Sequence, residues 1–292
     1  MGAQGAPHKE RAMTKHWFIT GISRGLGLAL AKAALARGDT VVGTVRSGAP
    51  PIEAEAGKLH VLMLDVTDGA AITAAVDEAF RLAGGRLDVV VNNAGYGLLG
   101  ALEDATDAEA ERLFATDVFG PFKVIRAALP RLRAQGEARI VNITSIAGRA
   151  PGAASALYAA AKYALEGLTA SLHQEVAPLG VKVTAVAPGA FRTDFLSAHS
   201  IRLSETRAEG YGGTVGKASH AFSSMAGQQR GDPDRAAGAL LRIVDAPDPP
   251  LNLLLGSDAL RRARAKHAAV EAEIDTWEDL TISTDFPEVE AR

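Results

Sequence analysis

Tyr158 and Lys162 stand four residues apart in SALYAAAKYALEGL (155 to 168), so on a helix they share one face, one turn from each other. A free tyrosine has a pKa near 10 and is only about 0.1% ionised at neutral pH, too little for an efficient base. A neighbouring ammonium favours the phenolate. Lowering that pKa by about 3 units takes about 4 kcal/mol of differential stabilisation. A tyrosine and lysine so spaced could therefore move a proton, although an isolated Y-x-x-x-K is more often a half-buried tyrosine beside a solvated lysine. Ser145, thirteen residues before Tyr158, closes the apolar run ARIVNITS (138 to 145) and adds a hydroxyl at a strand end.

A second stretch, TGISRGLG (20 to 27), admits two chemistries. Gly21 to Gly25 satisfies G-x-S-x-G, the strained elbow that exposes a nucleophilic serine in hydrolases, which would be Ser23. Gly21, Gly25 and Gly27 could equally make a glycine-rich turn that brings a backbone close to a pyrophosphate at a helix N-terminus. Position favours the second chemistry. A hydrolase elbow follows a central strand, whereas TGISRGLG follows the first, and LALAKAALARG after it is helix-like.

The elements that must position these groups alternate along the chain. Strand-like HWFIT (16 to 20), TVVGTV (40 to 45), LHVLMLD (59 to 65), LDVVVNN (87 to 93), ARIVNITS, VKVTAVAP (181 to 188) and LNLLLG (251 to 256) are separated by alanine-rich helical stretches. Among these are 68 to 83, about 107 to 135, and 155 to 177. This is a βαβ rhythm. Strands apolar at nearly every position need cover on both faces, as in a parallel sheet between helix layers. The expected fold is one α/β domain over 15 to 256, doubly wound, with about seven parallel strands. Residues 189 to 231 carry no clear period and are too long for an ordinary connection, so they are read as a substrate lid.

In this order the pieces resemble the short-chain dehydrogenase/reductase family. The resemblance rests on TGISRGLG, Asp65-Val66-Thr67, Asn92-Asn93-Ala94-Gly95, Ser145, Tyr158-Ala-Ala-Ala-Lys162 and PGAFRT (188 to 193), and covers about residues 16 to 256. It implies a Rossmann-type fold and hydride transfer between a nicotinamide dinucleotide and a carbonyl/alcohol pair. By its pattern Tyr158 passes the proton, Ser145 orients the substrate oxygen, and Lys162 tunes Tyr158 and holds the nicotinamide ribose. Gly21, Ser23, Arg24, Gly25, Leu26 and Gly27 would cradle the phosphates, and Asp65 and Val66 would meet the adenine. Asn92, Ala94 and Gly95 would line the middle of the cofactor, and Pro188, Gly189, Phe191 and Thr193 would approach the carboxamide. Asn92 could instead serve the sheet, and Asp65 could simply cap a helix.

The chain departs from that pattern at Asp117, where the family usually carries an asparagine that helps hold a water beside the lysine. Asparagine donates and accepts, whereas an ionised aspartate only accepts. An ionised Asp117 near Lys162 would stabilise the ammonium and weaken its effect on Tyr158. Cofactor selectivity is usually set after the second strand, where an acid binds the ribose 2′-OH of NAD. Here TVVGTV ends in Arg46-Ser47 with no acid following, and Arg24 adds a second cation that can pair with phosphate. NADP is expected over NAD. The apolar residues of the lid, with Tyr96, Leu98 and Leu99, suit a hydrophobic ketone or secondary alcohol, steroid-like or aromatic. A non-catalytic dinucleotide sensor is the rival, and Asp117 is the one residue that leans toward it.

Composition narrows the classes. A net charge of -3 over 292 residues leaves no basic stripe interleaved with aromatics, so no nucleic acid is expected. The absence of cysteine excludes a thiolate nucleophile or a disulfide framework. No His and carboxylate pairs stand at ligand spacing, so no metal is expected. No run reaches the roughly 18 apolar residues of a membrane span, and a cytoplasmic protein is expected. Residues 1 to 14 read as a disordered leader. Residues 257 to 292 read as a C-terminal helix and tail. Leu260, Ala263, His267, Val270, Ile274 and Trp277 form a narrow stripe there, expected to dock on the parent domain or on a partner subunit of a homodimer or homotetramer.

Overall fold

A computed structural model describes residues 14–53, 56–196, 201–204 and 208–286. Most of the leader, parts of the lid and the end of the tail lie outside these residues. The chain runs β1 (His16–Ile19), α1 (Gly25–Ala36), β2 (Thr40–Val45), β3 (Lys58–Met63), α2 (Gly69–Leu82), β4 (Val89–Asn92) and β5 (Gly97–Leu99). It continues α3 (Asp107–Phe114), α4 (Gly120–Gln135), β6 (Ala138–Ile143), α5 (Ala156–Val176), β7 (Val181–Pro188) and β8 (Ile201–Leu203). The remaining elements are α6 (Lys217–Ser224), α7 (Pro233–Asp245), β9 (Asn252–Leu255) and α8 (Ser257–Ile282).

Seven strands form one parallel sheet in the order β3-β2-β1-β4-β6-β7-β9. Side chains alternate across the pleat, so one strand supplies both cores. Phe18, Val42, Val90 and Ile140 pack under Ile72, Val76 and Phe80 of α2, Val124 and Leu132 of α4, and Leu172 of α5. Trp17, Ile19, Val41, Val89 and Val91 face the other way, onto Leu30, Ala31 and Ala34 of α1 and Ala237 and Leu240 of α7. The apolar runs of β1, β2, β4, β6 and β7 are thus explained by cover on both sides, whereas β3 at the sheet edge leaves Val61 40% and Met63 62% exposed.

Strand order reverses between β1 and β4, and in open α/β sheets the crevice at such a point, outside the carboxyl ends of the strands, is where ligands bind. Polar side chains lock that crevice. Thr20, just past β1 and 2% exposed, accepts hydrogen bonds at Oγ1 from the amides of Asn93 and Ala94, each 3.0 Å. The Asn93 amide nitrogen in turn donates to the carbonyls of Thr20 and Gly21 at 3.0 and 2.9 Å.

Three features differ from the sequence expectation. The helix over 107 to 135 is interrupted at Ala115–Phe119 by one wide π-turn. A small parallel pair, β5 with β8, joins the segment after Gly95 to the lid. Of the C-terminal stripe, Ala263 packs with its neighbour Ala259 on Ile146, Ala150 and Leu254, while Leu260, Ile274 and Trp277 stay 42%, 57% and 60% exposed. Docking on the parent domain is thereby limited to the first two turns of α8.

Thr20→Val keeps shape but leaves two buried amides unpaired, so it should cost about 2 kcal/mol. Urea unfolding reads this as a lower midpoint at unchanged slope; an unshifted midpoint would show that the Thr20 hydroxyl does not hold the crevice.

Candidate active site

At the carboxyl end of β1 the chain must turn sharply into α1. Gly21 and Gly25 take φ of +75° and +62°, a region costly for other L residues. A Cβ on Gly27 would overlap the Asn93 amide group and the Gly21 carbonyl, so the close approach of α1 to the crevice requires glycine. Beyond Gly25 the only atoms within 4 Å of a Cβ would be those of Thr193, at 3.8 and 4.0 Å, which leaves a gap between the turn and the loop after β7. No side chain caps α1 and no acid stands in its first turn. Its amides face that gap with the positive end of the helix dipole. These features fit a dinucleotide pyrophosphate, with Ser23, Arg24 and Leu26 in the same half-buried turn.

The groups that the sequence reading assigns to proton transfer sit on α5, just past the end of β6 and in the turn between α3 and α4. Tyr158 is 8% exposed, Lys162 6% and Asp117 0%. The π-turn swings Asp117 inward, where Oδ2 lies 3.0 Å from the Lys162 ammonium and Oδ1 accepts from the Tyr96 amide at 3.1 Å. The asparagine expected from the resemblance is thus replaced by a direct buried ion pair. Lys162 also donates to the Ile143 carbonyl at 3.3 Å, and its Nζ lies 5.7 Å from the centre of the Tyr158 ring. Ser145 follows β6 and accepts from the Ala147 amide at 3.1 Å, with its hydroxyl near the Tyr158 phenol.

Each pKa follows from these neighbours. Burial pushes the Tyr158 phenol up; Lys162 and the Ser145 hydroxyl oppose this, and the Asp117 charge adds to it. Burial works against the Lys162 ammonium, but Asp117 and then Tyr158 outweigh it, so its pKa is raised and it stays charged. Burial likewise pushes the Asp117 carboxyl up, opposed by Lys162 and the Tyr96 amide. With no added positive charge, Tyr158 is therefore held as a phenol.

The other sequence-predicted residues are placed unevenly. Asn92 turns its side chain into the sheet, donating to Asn142 at 2.8 Å, and Asn142 donates on to Thr169 at 2.9 Å. Val66 is buried in the core beneath α4. Asp65 is exposed and accepts from the amide and hydroxyl of Thr67 at 2.9 and 2.7 Å; these bonds, with Arg46 and Arg112 nearby, lower its pKa. It does not cap α2, whose N-cap is Asp68. Arg46 is exposed at the end of β2. Ala94 and Gly95 border the crevice, where Ala94 lies 3.0 Å from a Cβ on Gly21 and Gly95 leaves room for the Asp117 carboxylate. Pro188 pairs with Leu255, a Cβ on Gly189 would overlap the Asp258 carboxylate, and Phe191 bridges to Gly231.

Sequence reasoning missed Asn93 and Thr20, whose side chains hold the glycine turn, and Asp258, which accepts from the Ala190 amide at 2.9 Å and ties the loop after β7 to α8. It also missed the partly buried pair behind Ser145, in which Arg149 donates to Glu166 at 3.0 Å. Adjacency to the quoted motifs was the only signal for these residues. A cavity of about 700 Å³ opens between β5, α3 and the lid, lined by Tyr96, Leu98, Leu99, Arg112, Arg202 and Phe222 among others. Phe195 of the lid packs on Tyr158 with ring centres 6.1 Å apart. Among the described residues no cluster of three metal-ligating side chains occurs, and no helix is long and apolar enough to cross a membrane.

Known proteins are similar to this chain in sequence and fold. The family model for short chain dehydrogenases matches residues 15–202. An oxidoreductase of Botryotinia fuckeliana, BOA17, is 37% identical over 276 residues, 93% of this chain and all of that one. A short-chain dehydrogenase crystal structure from Streptomyces avermitilis superposes with a TM-score of 0.84 at 39% identity, covering 94% of this chain and all of its own. ElxO, solved with NADP bound, covers 85% of this chain and 100% of its own with a TM-score of 0.71 at 26% identity. The chain belongs to the short-chain dehydrogenase/reductase family and is an oxidoreductase of the nicotinamide-dependent kind. That membership favours an oxidoreductase over the serine-hydrolase reading of TGISRGLG.

Asp117→Asn removes a buried negative charge that raises the Tyr158 pKa, so Tyr158 should titrate lower in the variant. The difference in phenolate absorbance between each protein and its Tyr158→Phe counterpart measures this. An unchanged or higher pKa would show that the Asp117 charge does not reach the phenol.

Proposed function

We propose that the chain interconverts a carbonyl compound and its alcohol with NADP(H), Tyr158 carrying the proton. The observation that carries this reading is the convergence of Tyr158, Ser145 and Lys162 on one edge of the crevice whose other edge is the glycine turn. The nicotinamide supplies or takes the hydride when bound. In the reductive direction the Tyr158 phenol donates its proton to the substrate oxygen, with Ser145 donating to the same oxygen and fixing its place. Lys162, kept charged by Asp117, stabilises the phenolate left behind and is placed to hold the nicotinamide ribose. In the oxidative direction Tyr158 must first be a phenolate, which the buried Asp117 charge disfavours.

For the cofactor, the turn residues Gly21 to Gly27 would hold the pyrophosphate and Ala94, Gly95, Gly189 and Thr193 its nicotinamide half. Asp65 and Val66 border the adenine side. Arg46, exposed after β2 where no acid follows, and Arg24 in the turn would receive the 2′-phosphate of NADP. The cavity walls of Tyr96, Leu98, Leu99 and Phe222 support a hydrophobic carbonyl substrate, and Arg112 and Arg202 give that cavity a cationic rim.

Loss of general acid catalysis commonly costs 10² to 10⁴ in rate, so Tyr158→Phe should turn over about 10³-fold more slowly while still binding the dinucleotide. A panel of ketones and alcohols followed by nicotinamide absorbance checks this. Binding of the dinucleotide without turnover by the parent protein would mark a sensor instead. Arg46→Ala should lower the ratio of kcat/KM with NADP to that with NAD by about tenfold, the worth of one charged contact to phosphate. An unaltered ratio would remove Arg46 from the cofactor site.

A further inference from the structure

α8 is an extended amphipathic helix with charges in an order that its own structure disfavours. At 1.5 Å per residue its 26 residues reach about 39 Å, yet only Ala259 and Ala263 in its first two turns are buried. After Asp258 every formal charge up to Lys266 is positive (Arg261, Arg262, Arg264, Lys266), and every one from Glu271 to Asp279 is negative (Glu271, Glu273, Asp275, Glu278, Asp279). A helix dipole favours the reverse order. Neighbours on the helix surface repel as well: Arg261 with Arg264 at three residues, Glu271 with Asp275 and Asp275 with Asp279 at four. Among the described residues, none of the charges from Arg264 to Asp279 is in an ion pair. Along the same helix Ile274, Trp277, Leu280 and Ile282 are 57 to 60% exposed.

We propose that α8 pairs with α8 of a second copy of this chain, the two helices antiparallel about a two-fold axis near its centre. That arrangement lays the acidic half of each helix along the basic half of the other and opposes the two dipoles. It covers Ile274 and Trp277 of each copy with the Leu260 and His267 region of its partner. A single helix carrying both complementary halves is what an isologous contact requires, since every contact is made twice by symmetry. A foreign partner would call for no such self-complementarity. Among the described residues, no cation of the chain's own domain pairs with the acidic half, which is exposed from Glu271 to Asp279. The proposal is independent of the catalytic reading.

Charge exchange tests it on the full chain. The double variants Arg264→Glu/Lys266→Glu and Glu271→Lys/Glu273→Lys should each associate at least about tenfold more weakly, the scale of losing a few charge pairs, read as a lower mean mass by sedimentation. An equimolar mixture of the two should regain the parent mass. Because the chain has no cysteine, single cysteines report the direction of pairing. Leu260→Cys mixed with Glu278→Cys should be joined by a short bismaleimide, and neither variant alone should be. Retention of the parent mass by both charge variants would overturn the proposal, as would a mixture that stays apart, which would assign the helix to another partner or to its own domain. Joining of Leu260→Cys with itself would indicate parallel helices and would equally overturn it.

Discussion

The site depends on one buried contact, the 3.0 Å pair between Asp117 and Lys162. An ammonium with 6% exposure would lose its proton or leave the interior unless something repaid its lost hydration, and removing one partner from such a pair typically costs about 3 to 5 kcal/mol. Several features of the fold serve to make that contact. The π-turn at Ala115–Phe119 admits one extra residue and turns Asp117 toward α5. Gly95 has no side chain, which leaves the carboxylate its place, and the Tyr96 amide takes the second carboxylate oxygen. The end of β4, the junction of α3 and α4, and the face of α5 therefore meet at one pair of charges.

Behind that pair lies a second polar layer that orients α5 against the sheet. Glu166, one turn past Lys162, receives Arg149, and Arg149 in turn donates to the Ala185 carbonyl of β7 at 3.1 Å. Thr144 donates to the Val186 carbonyl at 2.9 Å and Asn142 reaches Thr169 of α5 at 2.9 Å. Of these bonds, Arg149 to Glu166 and Asn142 to Thr169 reach α5 one turn apart, so rotation of the helix would leave polar groups unpaired. The positions of Tyr158 and Lys162 are consequently fixed by the sheet, which is also the element that carries the glycine turn.

The parts legible in the sequence are those where chemistry forces a residue type. The glycines of 20 to 27, the polar ends of apolar strands, and the four-residue spacing of Tyr158 and Lys162 all announce themselves, and the seven-stranded parallel sheet follows from strands apolar on both faces. The π-turn was not legible, because the apolar period of α3 and α4 continues across ATDVFG with no glycine or proline before Gly120. Nor was β5, three residues long and paired with β8 about a hundred residues later. The stripe on α8 could be read, but its docking could not: periodicity gives a helix an apolar face without saying how far along that face the domain extends.

The same electrostatics acts on Tyr158. Lys162 alone would pull the tyrosine toward its phenolate, but the aspartate that secures Lys162 in the interior also faces Tyr158 and acts the other way. An asparagine at 117 would leave the full ammonium field on the phenol, at the cost of a lysine whose charge is held by neutral partners only. The aspartate exchanges part of that field for a more firmly held cation. A group kept protonated is ready to donate, so under the proposed function the Tyr158 phenol would hand its proton to a carbonyl oxygen, and taking a proton from an alcohol would call for further positive charge beside it.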